Sequence, residues 1–158
     1  MVMAIAWLAF RGLGASGRMT SAATTAGALR YALALMFLFT AVSHFLPRTR
    51  PDMIRMVPPV MPVPELMVTA TGVLELAGAV GLLVPATATW AAYCLAALLV
   101  AMFPANVYAA SAGLEIGGQA VMALLWRLPL QVLWIAALLW VGREHRRARL
   151  APALPSGA

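Results

Sequence analysis

A glutamate in the middle of an apolar run is the first residue here that could do chemistry. Glu75 stands ten residues from Glu65 and ten from Pro85. On a helix rising about 1.5 Å per residue it lies roughly 15 Å from either end. An ionised carboxylate at that depth in a bilayer costs about 2.5–3.5 kcal/mol on insertion scales, so the group is protonated, paired or turned toward a wet cavity. Its helical neighbours three and four positions away are Thr71, Gly72, Gly78 and Ala79, a face of small residues that lets another helix come close. Two uses fit: a titrating proton carrier, or a neutral acid hydrogen-bonded for helix packing.

Four more polar side chains sit near the ends of apolar runs: His44, Asn106, Arg127 and Gln131. With Glu75 they make a candidate polar pocket, in which Arg127 is the natural counter-ion. Taken singly, His44 reads as an interfacial residue. One histidine with one glutamate is too few ligands for a metal site, so no metal is expected. The sequence has no Gly-rich nucleotide loop, Ser/His/Asp arrangement or heme-ligand pair. No catalytic residue is assigned, and the chain is not expected to be an enzyme by itself.

The surroundings of these residues set the class of protein. Of 158 residues 63% are apolar and 10% charged, with a mean hydropathy of +0.90, where a soluble domain has about 45–50% and about 25%. A water-facing surface cannot absorb that excess, and a disordered chain would lack the Leu, Val and Ala that dominate here. All 11 basic residues are arginine, against 5 acidic ones. They flank apolar runs instead of forming a basic groove, which argues against nucleic acid and for membrane-proximal loops. Cys94 is the single cysteine, set in an apolar run, so no intrachain disulfide or Cys-x-x-Cys pair can form.

Four runs are long enough to cross a bilayer, at about residues 26–46, 65–84, 87–109 and 122–141. Arg30, one turn into the first, can snorkel to the interface. Pro64 and Pro85 bracket the second. The expected fold is all-α, an antiparallel four-transmembrane-helix bundle over residues 26–142. Residues 1–25 form a non-spanning N-terminal segment and residues 143–158 a basic tail. Residues 1–18 read either as an interfacial amphipathic stretch or as the product of an upstream start codon. The loop 47–64 holds six prolines, which argues against a hairpin; its apolar part lies on the bilayer surface or folds over the bundle mouth. The connection 110–125 is weakly polar. Pro104 breaks the third helix before Asn106, freeing a carbonyl near residue 100, and Trp126 and Trp140 read as interfacial anchors.

With both termini cytoplasmic, seven arginines (11, 18, 30, 143, 146, 147 and 149) lie inside and four (48, 50, 55 and 127) outside, the sense of the positive-inside rule. His44, Glu75, Asn106, Arg127 and Gln131 then come from all four helices and share the outer half of the membrane. The implied location is the plasma (inner) membrane.

Four segments together carry a family resemblance: Ser43-His44-Phe45, the run Leu74-Glu75-Leu76-Ala77-Gly78-Ala79-Val80-Gly81-Leu82-Leu83, the run Phe103-Pro104-Ala105-Asn106-Val107-Tyr108, and Arg127-Leu128-Pro129-Leu130-Gln131. In order and spacing, over roughly residues 27–142, the chain resembles the DoxX-like family of small four-helix membrane proteins. Ala109 departs from that pattern where methionine would be expected. The resemblance implies an accessory or assembly subunit beside a partner in a membrane redox complex. A quinone is the lipid-soluble ligand it brings into view, although no cofactor signature is present. The alternative is a small proton-coupled transporter or permease using Glu75; internal repeats and midplane helix breaks, the marks of many transporters, are not visible.

Overall fold

The computed structural model describes residues 2–17 and 19–151; Arg18 and the tail beyond residue 151, both part of the sequence reading, lie outside the described residues. Helix α1 (Val2–Ala15) is followed by a short 3-10 turn (Thr20–Ala22), α2 (Thr25–Ser43) and α3 (Arg50–Arg55). Then come α4 (Pro64–Leu83), α5 (Ala88–Ala101), α6 (Phe103–Ser111), the two-residue strands β1 (Glu115–Ile116) and β2 (Gln119–Ala120), and α7 (Leu124–Leu150).

Four stretches are long and apolar enough to cross a membrane: α2, α4, α5 with α6, and α7. Helix α1, with 14 residues, is only about 21 Å long against a hydrocarbon core of about 30 Å, and it packs on α2.

Thr24 starts α2 by accepting the Gly27 N–H on its hydroxyl, the usual way to satisfy an orphan donor at a helix N-terminus. Pro64 opens α4, where its missing N–H costs nothing. The third run is split: α5 stops at Ala101 and α6 restarts at Phe103 with Pro104 in its first turn. Helix α7 runs unbroken through the arginine-rich segment to Leu150, so the basic tail begins as helix. Its end is tied to the α4–α5 turn, where the ring of His145 bonds Pro85 O at 2.8 Å and Arg149 donates to Ala86 O at 3.0 Å.

Helix α2 packs on α4, α4 on α5, α5 on α7 and α7 on α2. The core holds Leu33 and Phe37 of α2, Leu82 of α4, Leu95 of α5, and Leu138 and Val141 of α7, with alanines between them. The burial of α4 is inside-out relative to a water-soluble helix: Glu75 is 4% exposed while its neighbours Leu74 and Leu76 are 55% and 39% exposed. Large apolar side chains cover the outside of every spanning segment, as lipid contact requires. Trp126, Trp140 and Cys94 also lie on the outer surface.

One expectation is corrected. Arg30 does not reach outward. It is 4% exposed, donates to Tyr31 Oη at 3.0 Å and lies over the Tyr31 ring. Phe10 of α1 packs against that ring, and Ser21 bonds its hydroxyl at 2.7 Å, so the N-terminal segment covers this end of α2. The connection 110–125 contains a hairpin, with Glu115 opposite Ala120 and Ile116 opposite Gln119. Gly117 and Gly118 turn it with φ of 59° and 78°, the left-handed pair that a two-residue turn demands.

Candidate functional site

The polar residues gather where α2 ends, α4 begins, α5 gives way to α6, and α7 begins. They line a cavity of about 580 Å³, within the range of about 300–1,000 Å³ typical of small-molecule sites. All five candidates, His44, Glu75, Asn106, Arg127 and Gln131, line it.

His44 follows the last residue of α2 and is buried. Its Nδ1 is 3.0 Å from Val68 O of α4; a carbonyl can only accept, so Nδ1 carries a proton. Its Nε2 faces Glu75 Oε2 at 3.6 Å. A single proton between the two residues makes them either imidazolium with carboxylate or imidazole with carboxylic acid. Close approach of α2 and α4 at Gly72 makes this geometry available: a Cβ built there would lie 2.7 Å from His44 Cβ. Arg50 steadies the junction by donating to His44 O at 3.1 Å and to Thr69 Oγ1 at 2.8 Å.

The pairing of Glu75 with Arg127 is therefore corrected. Among the described residues the ionisable partner of Glu75 is His44, and Arg127 makes neither an ion pair nor a hydrogen bond. Both line the same cavity, but Arg127 projects from the first turn of α7 while Glu75 sits in the middle of α4.

Gln131 holds the opposite wall. Its Nε2 donates to Leu99 O at 2.6 Å, and its Oε1 accepts from Asn106 Nδ2 at 3.4 Å. The break before Pro104 leaves carbonyls at the end of α5 without helical partners, and α7 supplies the donor. Asn106 and Gln131 thus bridge α6 and α7.

The mouth is closed by the proline-rich loop, in one of the two placements its sequence allows, and by the hairpin at residues 115–120. Met53 of α3, Val57 and Met61 of the proline-rich loop, and Ile116 and Gln119 of the hairpin all line the cavity, so the loop folds over the bundle. Asp52 ties the two pieces together: its Oδ2 accepts the Gly117 N–H at 2.7 Å, its Oδ1 binds Arg55 at 2.5 Å, and Arg48 donates to Gly117 O at 3.2 Å. The Gly117 hydrogen bond, aided by Arg55, holds the Asp52 carboxyl below the usual carboxylate range. A depressed folded-state pKa adds stability above the ordinary value near ~3.9 and loses it as pH falls through the folded value. Amide exchange in the hairpin should therefore be independent of pH-induced opening above about pH 5, with opening only in stronger acid. Asp52→Ala should accelerate it above about pH 5, without touching the spanning helices, and should match the unaltered protein in strong acid, where the tether is already lost; a protection midpoint near neutrality would contradict this tether.

Among the described residues no group of three or more His, Cys, Asp or Glu side chains could hold a metal. The sequence model of a protein family described as "Domain of unknown function (DUF8561)" matches residues 33–142, more than half of the chain. The chain belongs to this family. The DUF8561 region contains every residue that lines the cavity and leaves α1 and the basic end of α7 outside. No curated protein and no solved structure matches the chain.

Proposed function

We propose that this protein is an accessory or assembly subunit of a quinone-linked membrane redox complex, DoxX-like in kind, whose cavity holds a quinone-sized lipid-soluble molecule. In this reading the four spans form an antiparallel bundle in the plasma membrane with both termini cytoplasmic. The observation that carries it is the cavity itself: about 580 Å³, mostly apolar in lining, with a few polar groups contributed by every spanning segment, the composition expected of a ligand site. The core residues lie in the middle of α2, early in α5, late in α4 and in the second half of α7, with Phe37 shared between core and cavity, as an up-down bundle closed on one side of the cavity would have them. The seven-to-four arginine split supports the orientation.

Purification from its own membranes in mild detergent tests the reading. The expected result is a lipid-soluble molecule of quinone type in the organic extract, together with a co-purifying redox subunit, and loss of the molecule from a Glu75→Leu, Arg127→Leu variant. A protein that carries neither would overturn it.

A further inference from the structure

The lining of the cavity is chemically selective in a way that composition does not explain. The sequence has 25 leucines and 10 methionines, yet only Leu99 and Leu130 among the leucines line the cavity, whereas every methionine from Met36 to Met122 does. These methionines come from α2, α4, the mouth loop, the α5–α6 break and the segment before α7. Leucine would give a fixed aliphatic wall. Methionine gives an unbranched, polarisable one whose sulfur makes favourable contacts with aromatic ring edges. Phe37 and Trp134 add two aromatic faces.

The polar groups are unequal in what they still need. Gln131 is bonded through both its amide nitrogen and its oxygen, and His44 Nδ1 is taken by Val68. The Glu75 carboxyl lines the cavity and is 4% exposed; His44 Nε2 faces its buried Oε2 at 3.6 Å, too far for a hydrogen bond, so that oxygen has no hydrogen-bond partner. Arg127 lines the same space without an acceptor. Buried polar groups left unpaired are costly, and here the groups in deficit want a donor at Glu75 and an acceptor oxygen at Arg127.

We infer that the cavity selects planar aromatic molecules bearing a hydroxyl, which donates to the Glu75 carboxyl while the ring lies among the methionine sulfurs. This rests on reading the cavity as a site for a lipid-soluble ligand, and it specifies the chemistry of that ligand. A saturated amphiphile of the same size loses the sulfur–ring contacts. An aromatic ether leaves Glu75 without its donor.

Three probes of matched size separate the terms: 1-naphthol, its methyl ether, and the saturated alcohol decahydro-1-naphthol. Each is titrated by equilibrium dialysis into the full-length protein in lipid nanodiscs, with empty discs subtracted. Naphthol is expected to bind about tenfold tighter than either of the others, the scale of one lost polar contact for the ether and of the lost sulfur–ring contacts for the saturated alcohol. Its advantage over the ether should vanish in Glu75→Leu, and its advantage over the saturated alcohol should shrink in Met53→Leu, Met61→Leu, Met67→Leu. The comparison on the unaltered protein stands even if a variant fails to fold. Equal affinity of naphthol and ether overturns the hydroxyl assignment, and equal affinity of naphthol and the saturated alcohol overturns the ring assignment; in both cases the cavity remains a ligand site. Saturable binding of none of the three overturns the ligand-site reading as well.

Discussion

Gly72→Ala is expected to destabilise the helix packing by about 1–3 kcal/mol, the usual cost of overfilling a packed contact. The added carbon would lie 2.7 Å from His44 Cβ and 2.9 Å from Phe45 Cε2, against about 3.5–4.0 Å for a comfortable carbon contact. His44 Cβ is fixed to the backbone and cannot rotate away, so α2 and α4 must separate. Separation also lengthens the His44–Val68 bond and moves His44 from Glu75, which couples the packing defect to the site. Gly12→Ala in α1 is the control: nothing lies within 4 Å of the added carbon there, and the cost should be smaller. Reversible unfolding in mixed micelles measures both. A neutral or stabilising Gly72→Ala would mean that the two helices do not approach as closely as described.

The spans were legible because apolar length is set by bilayer thickness and needs no knowledge of tertiary contacts. Glu75 could be placed on an inward face because its three- and four-residue neighbours are small, and Gly72, Gly78 and Ala79 are indeed buried with it. Convergence of His44, Glu75, Asn106, Arg127 and Gln131 on one cavity was also within reach, since each lies at a definable depth of its apolar run. The partner of Glu75 was not. Depth alone brings Arg127 to the same half of the chain's spans, but partner choice depends on which helices touch and how each is rotated. The glycine contact at residue 72 brings α2, and with it His44, against the acid.

The mouth was legible only in part. Six prolines correctly argued against a hairpin in the 47–64 loop, but the short helix α3 between two of them was missed. Gly117-Gly118 carried the signal of a two-residue hairpin, overlooked because the flanking strands are only two residues each. Arg30 was misplaced because nothing in the sequence showed that the N-terminal segment would fold back over it. Concentration of methionine at one site was invisible in a linear reading: Met36, Met67 and Met102 meet only once the helices are assembled. Arg50 and Thr69 were likewise unmarked, being loop and helix-start residues whose role is to hold His44.

Two double-mutant cycles test most directly whether the site is built on Glu75 and His44. Removing Glu75 alone should cost about 1–3 kcal/mol, the price of leaving a buried polar partner unmet; the larger loss of about 3–5 kcal/mol that follows from stranding a buried cation is not expected, because an imidazole can give up its proton where a guanidinium cannot. Glu75→Leu combined with His44→Leu should show a coupling of about 1 kcal/mol or more in reversible unfolding. Glu75→Leu combined with Arg127→Leu should show less than about 0.5 kcal/mol, the level at which two sites behave independently. Strong coupling of Glu75 to Arg127, with none to His44, would contradict the pairing.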